Sequence, residues 1–396
     1  MAGQLGLPVV AVLLDNPVRS YAWGSPTVIA ELLGRPPSGQ PEAELWIGAH
    51  PGSPSTVAGD GRSLDRYVAG DPAATLGAAV VERFGPRLPF LLKILAVARP
   101  LSIQVHPTID QAVAGFAAED AAGVALDDPR RSYRDRNHKP EMVVALTEFE
   151  ALLGFDDPGA VAEVLESCEH PDLVGAGAVL RTAGGLERVV RRWLTLGDDQ
   201  AADVVTALVA EASARRDDPR FGLVTRLAQD YPHDRGLLLA LLMRLVRLAP
   251  GEAAFVPAGV PHAYLSGVAV EPQASSDNTL RAGLTPKHVD AAEVLNLLRY
   301  EPGGAVMVTP KPAGGEELYP VPDVDELLLS RVPLSEGTTV PVPGPRLVLV
   351  VDGTAAVGDV TLRRGHAAFV PATDTDATLR GDGVAFTLTT ALDTTR

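Results

Sequence analysis

With 396 residues, 46% of them hydrophobic and 21% charged, the chain has room for two or three domains and is too apolar to stay disordered. Its formal net charge of −16 excludes non-specific nucleic-acid binding, so an anionic ligand must be met by a local group of cations. A single cysteine, Cys168, excludes an intrachain disulfide and a thiolate metal cage.

The start, Met1-Ala-Gly-Gln-Leu-Gly-Leu-Pro, has no basic segment, and Asp15 interrupts the first apolar run, which reads as a strand and not a signal peptide. The uncharged block 237–243 is far short of a membrane span and ends at Arg244. A soluble, cytoplasmic monomer without membrane or nucleic-acid partners is expected. Short apolar runs at 9–14, 44–47 and 90–97, cut by Gly, Pro and Asp, predict a β-rich body, with helices over 26–33 and 109–116.

Leu101-Ser-Ile-Gln-Val-His-Pro follows the third of these runs. In an extended chain Ser102, Gln104 and His106 alternate onto one side, aiming an amide oxygen and an imidazole into a common cavity. A hydrogen-bonded core histidine would give the same Gln-x-His pattern. In Asn137-His-Lys-Pro-Glu, Pro140 biases Lys139 to an extended conformation, so Lys139 and Glu141 project together. Glu141 heads the apolar run 142–146, where a carboxylate is costly to bury unless a cation or metal answers it. A Lys139–Glu141 surface pair is the plainer alternative. His138 alternates to the other face and reads as a supporting residue.

Asp157-Pro158 is a helix start, a cap followed by proline, and Ala, Leu, Arg and Glu dominate from there. The segment 157–248 is read as a helical subdomain. At Gly251 the β pattern resumes. Pro257, Gly259 and Pro261 punctuate a turn, His262 opens the next strand, and Glu271, Asp277, Arg281 and Lys287 follow. One more helix is expected over 290–298.

The last region, 319–396, has strands expected at 326–332, 346–351 and 384–389. Its Gly365-His-Ala-Ala-Phe-Val-Pro-Ala repeats Gly251-Glu-Ala-Ala-Phe-Val-Pro-Ala at all but the second position, which suggests two copies of one β-barrel module. Continuing the register puts Asp376 where the first copy has His262, so the second copy is expected to lack the site. Together, Gln104, His106, Glu141 and His262 form a nitrogen/oxygen shell suited to Zn²⁺, with other first-row metals left open. Lys93, Arg136, Lys139, Arg281 and Lys287 are the cations beside it, as a sugar phosphate would require. His50, His170, His233, His288 and His366 lie outside these motifs and are read as structural or exposed.

The motifs Tyr21-Ala-Trp-Gly, Glu44-Leu-Trp-Ile-Gly-Ala-His-Pro, Pro89-Phe-Leu-Leu-Lys, Leu101-Ser-Ile-Gln-Val-His-Pro, Asn137-His-Lys-Pro-Glu, Pro257-Ala-Gly-Val-Pro-His-Ala-Tyr and Ser276-Asp-Asn-Thr-Leu-Arg-Ala-Gly-Leu-Thr-Pro-Lys occur in the order found in type I phosphomannose isomerases, zinc enzymes of the cupin superfamily, which the chain resembles. The resemblance implies one zinc per chain on Gln104, His106, Glu141 and His262, and a catalytic Arg281. It also implies a substrate pocket of Trp23, Lys93, Ser102, Lys139, Tyr264, Glu271, Asp277 and Lys287. The implied fold is mainly β with a helical subdomain: a catalytic cupin barrel (1–156 and 249–318), the helices (157–248), and a degenerate C-terminal cupin (319–396) without a metal site. Thr108-Ile109 and Pro272-Gln273 depart from the family pattern.

The expected reaction is interconversion of mannose 6-phosphate and fructose 6-phosphate through a cis-enediol(ate). Arg281, Lys139 and Asp277 are the catalytic candidates, with Arg281 stabilising charge and the other two exchanging protons. Two other uses of the scaffold are a non-catalytic sugar-phosphate-binding cupin and a metal-dependent bicupin oxygenase.

Overall fold

The structure is a computed structural model and describes residues 10–392; residue 9, the expected start of the first strand, lies outside the described residues, as do the last residues of the 319–396 segment. Two antiparallel sheets, of eleven and ten strands, carry the fold, with helices around them. No helix among the described residues is long and apolar enough to cross a membrane.

The eleven-stranded sheet is organised around His262–Ala274. The second half of this thirteen-residue strand lies between Phe90–Val97 and Glu141–Ala145, and its first half between Ile103–Val105 and Phe149–Phe155. Pairing shifts register between Tyr264 and Ser266, and Gly267 follows at φ 112°, where a side chain would meet the carbonyl of Glu148. Bulge and glycine let one strand serve two directions of pairing. Phe90–Val97 is buried along its whole length, which explains its nearly unbroken apolar run, and Lys93 is its one charge.

The second sheet holds Leu328–Leu334, Arg346–Val357, Ala367–Val370 and Thr378–Thr389. Two of these strands are longer than expected. Gly353, two residues past the expected end at 351, lies inside Arg346–Val357 at φ 72°, where a Cβ would fall 1.9 Å from the carbonyl oxygen of Asp382. Close approach of two backbones, not a turn, is what that glycine serves. The N-terminal strand Val12–Asp15 pairs with Ala367–Val370, and Thr56–Val57 adds to it. The segment 1–156 therefore contributes to both sheets, a partition set by long-range pairing that no local pattern encodes. Leu45, Phe90, Ile94 and Val270 of one sheet pack with Leu329, Leu349, Phe369 and Phe386 of the other in a shared core.

The two sequence repeats are both strands, Ala253–Val256 and Ala367–Val370, one in each sheet. Six helices run from Pro158–Glu166 to Gly236–Leu242. Asp157 caps the first as expected, accepting from the amide of Ala160 ahead of Pro158, and His170-Pro171 and Asp218-Pro219 repeat the device. The expected helical segment through 248 needs a correction: Met243–Leu248 is a strand paired with Phe149–Phe155. Arg244 and Arg247, three apart, fit one face of a helix, but the free edge of Phe149–Phe155 captured the segment instead.

Candidate metal centre and substrate cavity

Glu141, at the head of Glu141–Ala145, is the centre of a buried cluster. His262 Nε2 lies 2.9 Å from Glu141 Oε1 and His106 Nε2 lies 3.2 Å from Oε2. The ligand atoms of the three residues all fall within 4.8 Å of one another, the one such group of three or more His, Cys, Asp or Glu among the described residues. His106 Nδ1 is 2.8 Å from the carbonyl of Asn278, and His262 Nδ1 is 3.1 Å from that of Val260. A carbonyl only accepts, so each imidazole carries a proton on Nδ1 and, in its neutral form, turns the lone pair of Nε2 toward the carboxylate. Acceptor then faces acceptor. His262 Nε2 is buried without a hydrogen-bond partner, and Glu141 Oε2 makes no aligned hydrogen bond although the Lys139 ammonium lies 3.0 Å away. A divalent cation among them resolves that conflict, and two neutral imidazoles with a carboxylate are a donor set that zinc accepts.

The electrostatics agree with such a set. Burial pushes the Glu141 carboxyl up, but its neighbours, the Lys139 ammonium first among them, pull it well below the usual range. Burial and the charge of Lys139 push His106 down to about 3, so its ring is neutral. Lys139 Nζ lies 3.0 Å from Glu141 Oε2 and 3.4 Å from His106 Nε2, buried and not on the surface. The Tyr264 hydroxyl donates to Glu141 Oε1 at 2.9 Å, and burial beside Glu141 and Glu271 keeps it a phenol. Gln104 is aligned with His262 on one side and with Arg281 on the other, and it shares a strand face with His106 and the partly buried Ser102.

Lys93 belongs to a buried ion network. Its Nζ is 2.9 Å from Glu271 and 4.0 Å from Glu44, and it lies 5.2 Å over the Trp46 ring, whose Nε1 donates to Glu44. Burial opposes its charge, but Glu271 and Glu44 hold Lys93 above the ordinary lysine range. Glu271 itself is raised by burial despite Lys93.

Arg281 and Lys287 have the opposite environment. Burial lowers the pKa of Arg281 and the charge of Arg134 lowers it further, while Lys287 is lowered by burial, Arg281 and Arg134. Among the described residues none of the three has a carboxylate within ion-pair distance. Crowded cations without a counter-charge are a receptor for a polyanion. Lys287 also stands 6.0 Å over the Tyr21 ring, which stacks on Trp23 at 5.8 Å.

Arg134 is not among the cations expected from sequence, whereas its neighbour Arg136 is; Arg136 instead stacks on Phe116, 4.8 Å from the ring centroid. Asp135 is outside the expected site as well, and Glu44 and Trp46 enter the sequence reading only as part of a motif, with no role of their own. Asn278 binds Arg134 and Asp135 through Oδ1 and Asp135 and Asn137 through Nδ2, locking the two loops together. His138 bonds Glu326 at 2.8 Å, away from the cluster, at the edge of a separate cleft of about 300 Å³ lined also by Arg83, Asp110 and Asp325. His50, read as structural or exposed, is buried and faces Asp277 at 3.6 Å. Its place in a recurrent motif was the one available signal.

The family description "Phosphomannose isomerase type I, catalytic domain" matches residues 12–157. The mannose-6-phosphate isomerase of Escherichia coli (strain K12) is 39% identical over 383 residues, spanning 93% of this chain and 97% of the relative. This chain belongs to the type I phosphomannose isomerase family. A plant member, a mannose-6-phosphate isomerase of Arabidopsis thaliana, is 34% identical over 90% of this chain and 87% of its own. Among solved phosphomannose isomerases, the Salmonella typhimurium enzyme bound to substrate, fructose 6-phosphate, and zinc superposes with a TM-score of 0.89 at 36% identity, covering 96% of this chain and 100% of that one.

Proposed function

We propose that this chain interconverts mannose 6-phosphate and fructose 6-phosphate, with one zinc ion held by His106, Glu141, His262 and Gln104. The observation that carries the reading is a buried Glu141 carboxylate with the Nε2 atoms of two imidazoles aimed at it, together with three cations, Arg134, Arg281 and Lys287, that have no carboxylate within ion-pair distance among the described residues. The substrate and metal named for the Salmonella typhimurium relative support it. Bound there, zinc would supply Lewis-acid polarisation of the sugar's carbonyl and hydroxyl oxygens.

The chain's own residues do the rest. Lys287, Arg281 and Arg134 bind the phosphate end and set the register of the sugar relative to Glu141. Arg281, next to Gln104 across the strand pair, also offsets the negative charge that develops when the C2 proton leaves. Asp277, whose carboxylate is half exposed at the cavity, takes the C2 proton and returns it to C1. Lys139, beside Glu141, passes a proton between the C1 and C2 oxygens. Trp23 with Tyr21 forms the wall that shields the sugar face, with Tyr264, Ser102 and the Lys93–Glu271 pair shaping the floor.

We further propose that the two sheets are two cupin barrels related by the Ala-Ala-Phe-Val repeat and that the C-terminal one has no metal site. Each repeat follows a glycine of positive φ, Gly251 at 90° and Gly365 at 83°, which supports a common origin. At the position of His262 the second copy offers Asp376. A coupled assay for fructose 6-phosphate from mannose 6-phosphate, before and after chelation and with zinc restored, tests the reading. Turnover that survives full removal of metal, or no turnover in the zinc form, would end it.

A further inference from the structure

His50 follows the strand Glu44–Gly48 into a loop, yet it is 3% exposed, with the Trp46 ring edge-on at 5.1 Å and 82°. The amide of Gly52 donates to His50 Nδ1 at 3.2 Å. An N–H is answered by a lone pair, so Nδ1 carries no proton and the neutral ring holds its proton on Nε2. Burial pushes the ring below the ordinary imidazole range, opposed by Asp277, so it is neutral near pH 7. Lys93, Asp135 and Lys139 are the other charges that face it.

Nε2 of His50 is 3.6 Å from Asp277 Oδ1. That is too far for a hydrogen bond and close enough for one side-chain rotation to make it. Asp277 is fixed at its backbone, where its amide donates to Asp135 Oδ2 at 2.7 Å. Its carboxylate has no hydrogen-bond donor among the described residues and is 45% exposed. Gly52 touches both members: a Cβ there would sit 3.2 Å from His50 Nδ1 and 3.6 Å from Asp277 Oδ2. A proton-transferring carboxylate free to swing would lose most of the benefit of proximity, and His50, whose Nε2 faces it, is a donor positioned to stop it.

We propose that His50 is a positioning residue of this isomerase, its Nε2–H closing onto the Asp277 carboxylate when a sugar phosphate fills the cavity. The assignment rests on the isomerase reading and goes beyond it by giving the proton-transferring group its orienting partner, in the manner of a base held by a third group.

The test uses the full-length zinc form with His50→Ala and His50→Gln, each alone and combined with Asp277→Asn. His50→Ala should lower kcat ~10-fold or more with KM and zinc content little changed, the scale of one lost hydrogen bond to a charged group. His50→Gln, whose amide nitrogen reaches the place of Nε2, should restore most of it. In the Asp277→Asn background His50→Ala should add almost nothing. Full turnover in His50→Ala, no rescue by Gln, or an equal loss with and without Asp277 would each overturn the proposal. Nitrogen NMR of the ring gives a readout independent of turnover: a proton on Nδ1 at neutral pH would sink the assignment even in an active enzyme. A wild-type chain with no isomerase activity would instead sink the functional reading, with the ring's tautomer still deciding this one.

Discussion

Replacing Lys93 by methionine isolates the buried ion network. One ammonium serves two carboxylates there, Glu271 at 2.9 Å and Glu44 at 4.0 Å, and the three side chains are 6%, 4% and 10% exposed. Methionine keeps the volume but leaves Glu271 without its ion-pair partner, and breaking a buried pair by removing one partner costs ~3–5 kcal/mol. Burial already holds the Glu271 carboxyl above its ordinary range, so it can take up a proton, which favours the lower end. At ~2.1 cal/mol/K of unfolding entropy per residue, 396 residues give ~1.2 °C per kcal/mol, so a loss of ~3 kcal/mol lowers the melting temperature by ~4 °C.

A carboxyl whose folded pKa is raised destabilises the fold as pH rises through that pKa. Lys93→Met raises it further, so the deficit should grow with pH and narrow on acidification. Calorimetry of the zinc form at two pH values measures this, and Lys93→Met/Glu271→Gln, which removes both charges, should regain more than half the loss. A single variant melting within ~1 °C of wild type, or a double variant no better than the single, would show that the pair is not the buried network described.

Arg281→Ala, with zinc retained by elemental analysis, should lower kcat ~10²-fold or more in the coupled assay; near-normal turnover would remove Arg281 from the chemistry. Glu141→Gln replaces the anion between two imidazoles by a neutral amide, so the protein should lose its zinc and its melting temperature should stop responding to added zinc. Gly154→Ala should fold poorly, because its Cβ would lie 1.6 Å from the Gly303 carbonyl oxygen at φ 70°; a wild-type melting curve would refute that geometry. Asp376→Asn should leave both turnover and zinc content unchanged in the assays above.

The motifs that carry the buried His106–Glu141–His262 cluster are legible because alternation along a strand is a local rule. Gln104 and His106 fall on one face, Lys139 reaches the same carboxylate as the cluster, and His138 turns to Glu326, all from period-two geometry. Fates that depend on long-range partners were not legible. Met243–Leu248 has arginines at helical spacing and became a strand only because Phe149–Phe155 offered an edge. The pairing of Val12–Asp15 with Ala367–Val370 leaves no trace in either segment. Arg134 and Arg136 are indistinguishable as text, and an aromatic neighbour, Phe116, decides which of them leaves the cavity.

Phe155 and Met243 are aligned across neighbouring strands, so the chain departs into its six helices and comes back beside its own point of exit. Topologically the excursion is an overgrown hairpin turn. Lengthening or trimming its outer helices need not move any strand by a residue, which makes the periphery free to diverge. The innermost helix has no such licence: Leu237, Leu239 and Leu241 join the core beneath Ile103, Val105, Leu280 and Ala282, under the strands that carry Gln104 and Arg281. Selection for catalysis should therefore reach into a helix that touches no substrate.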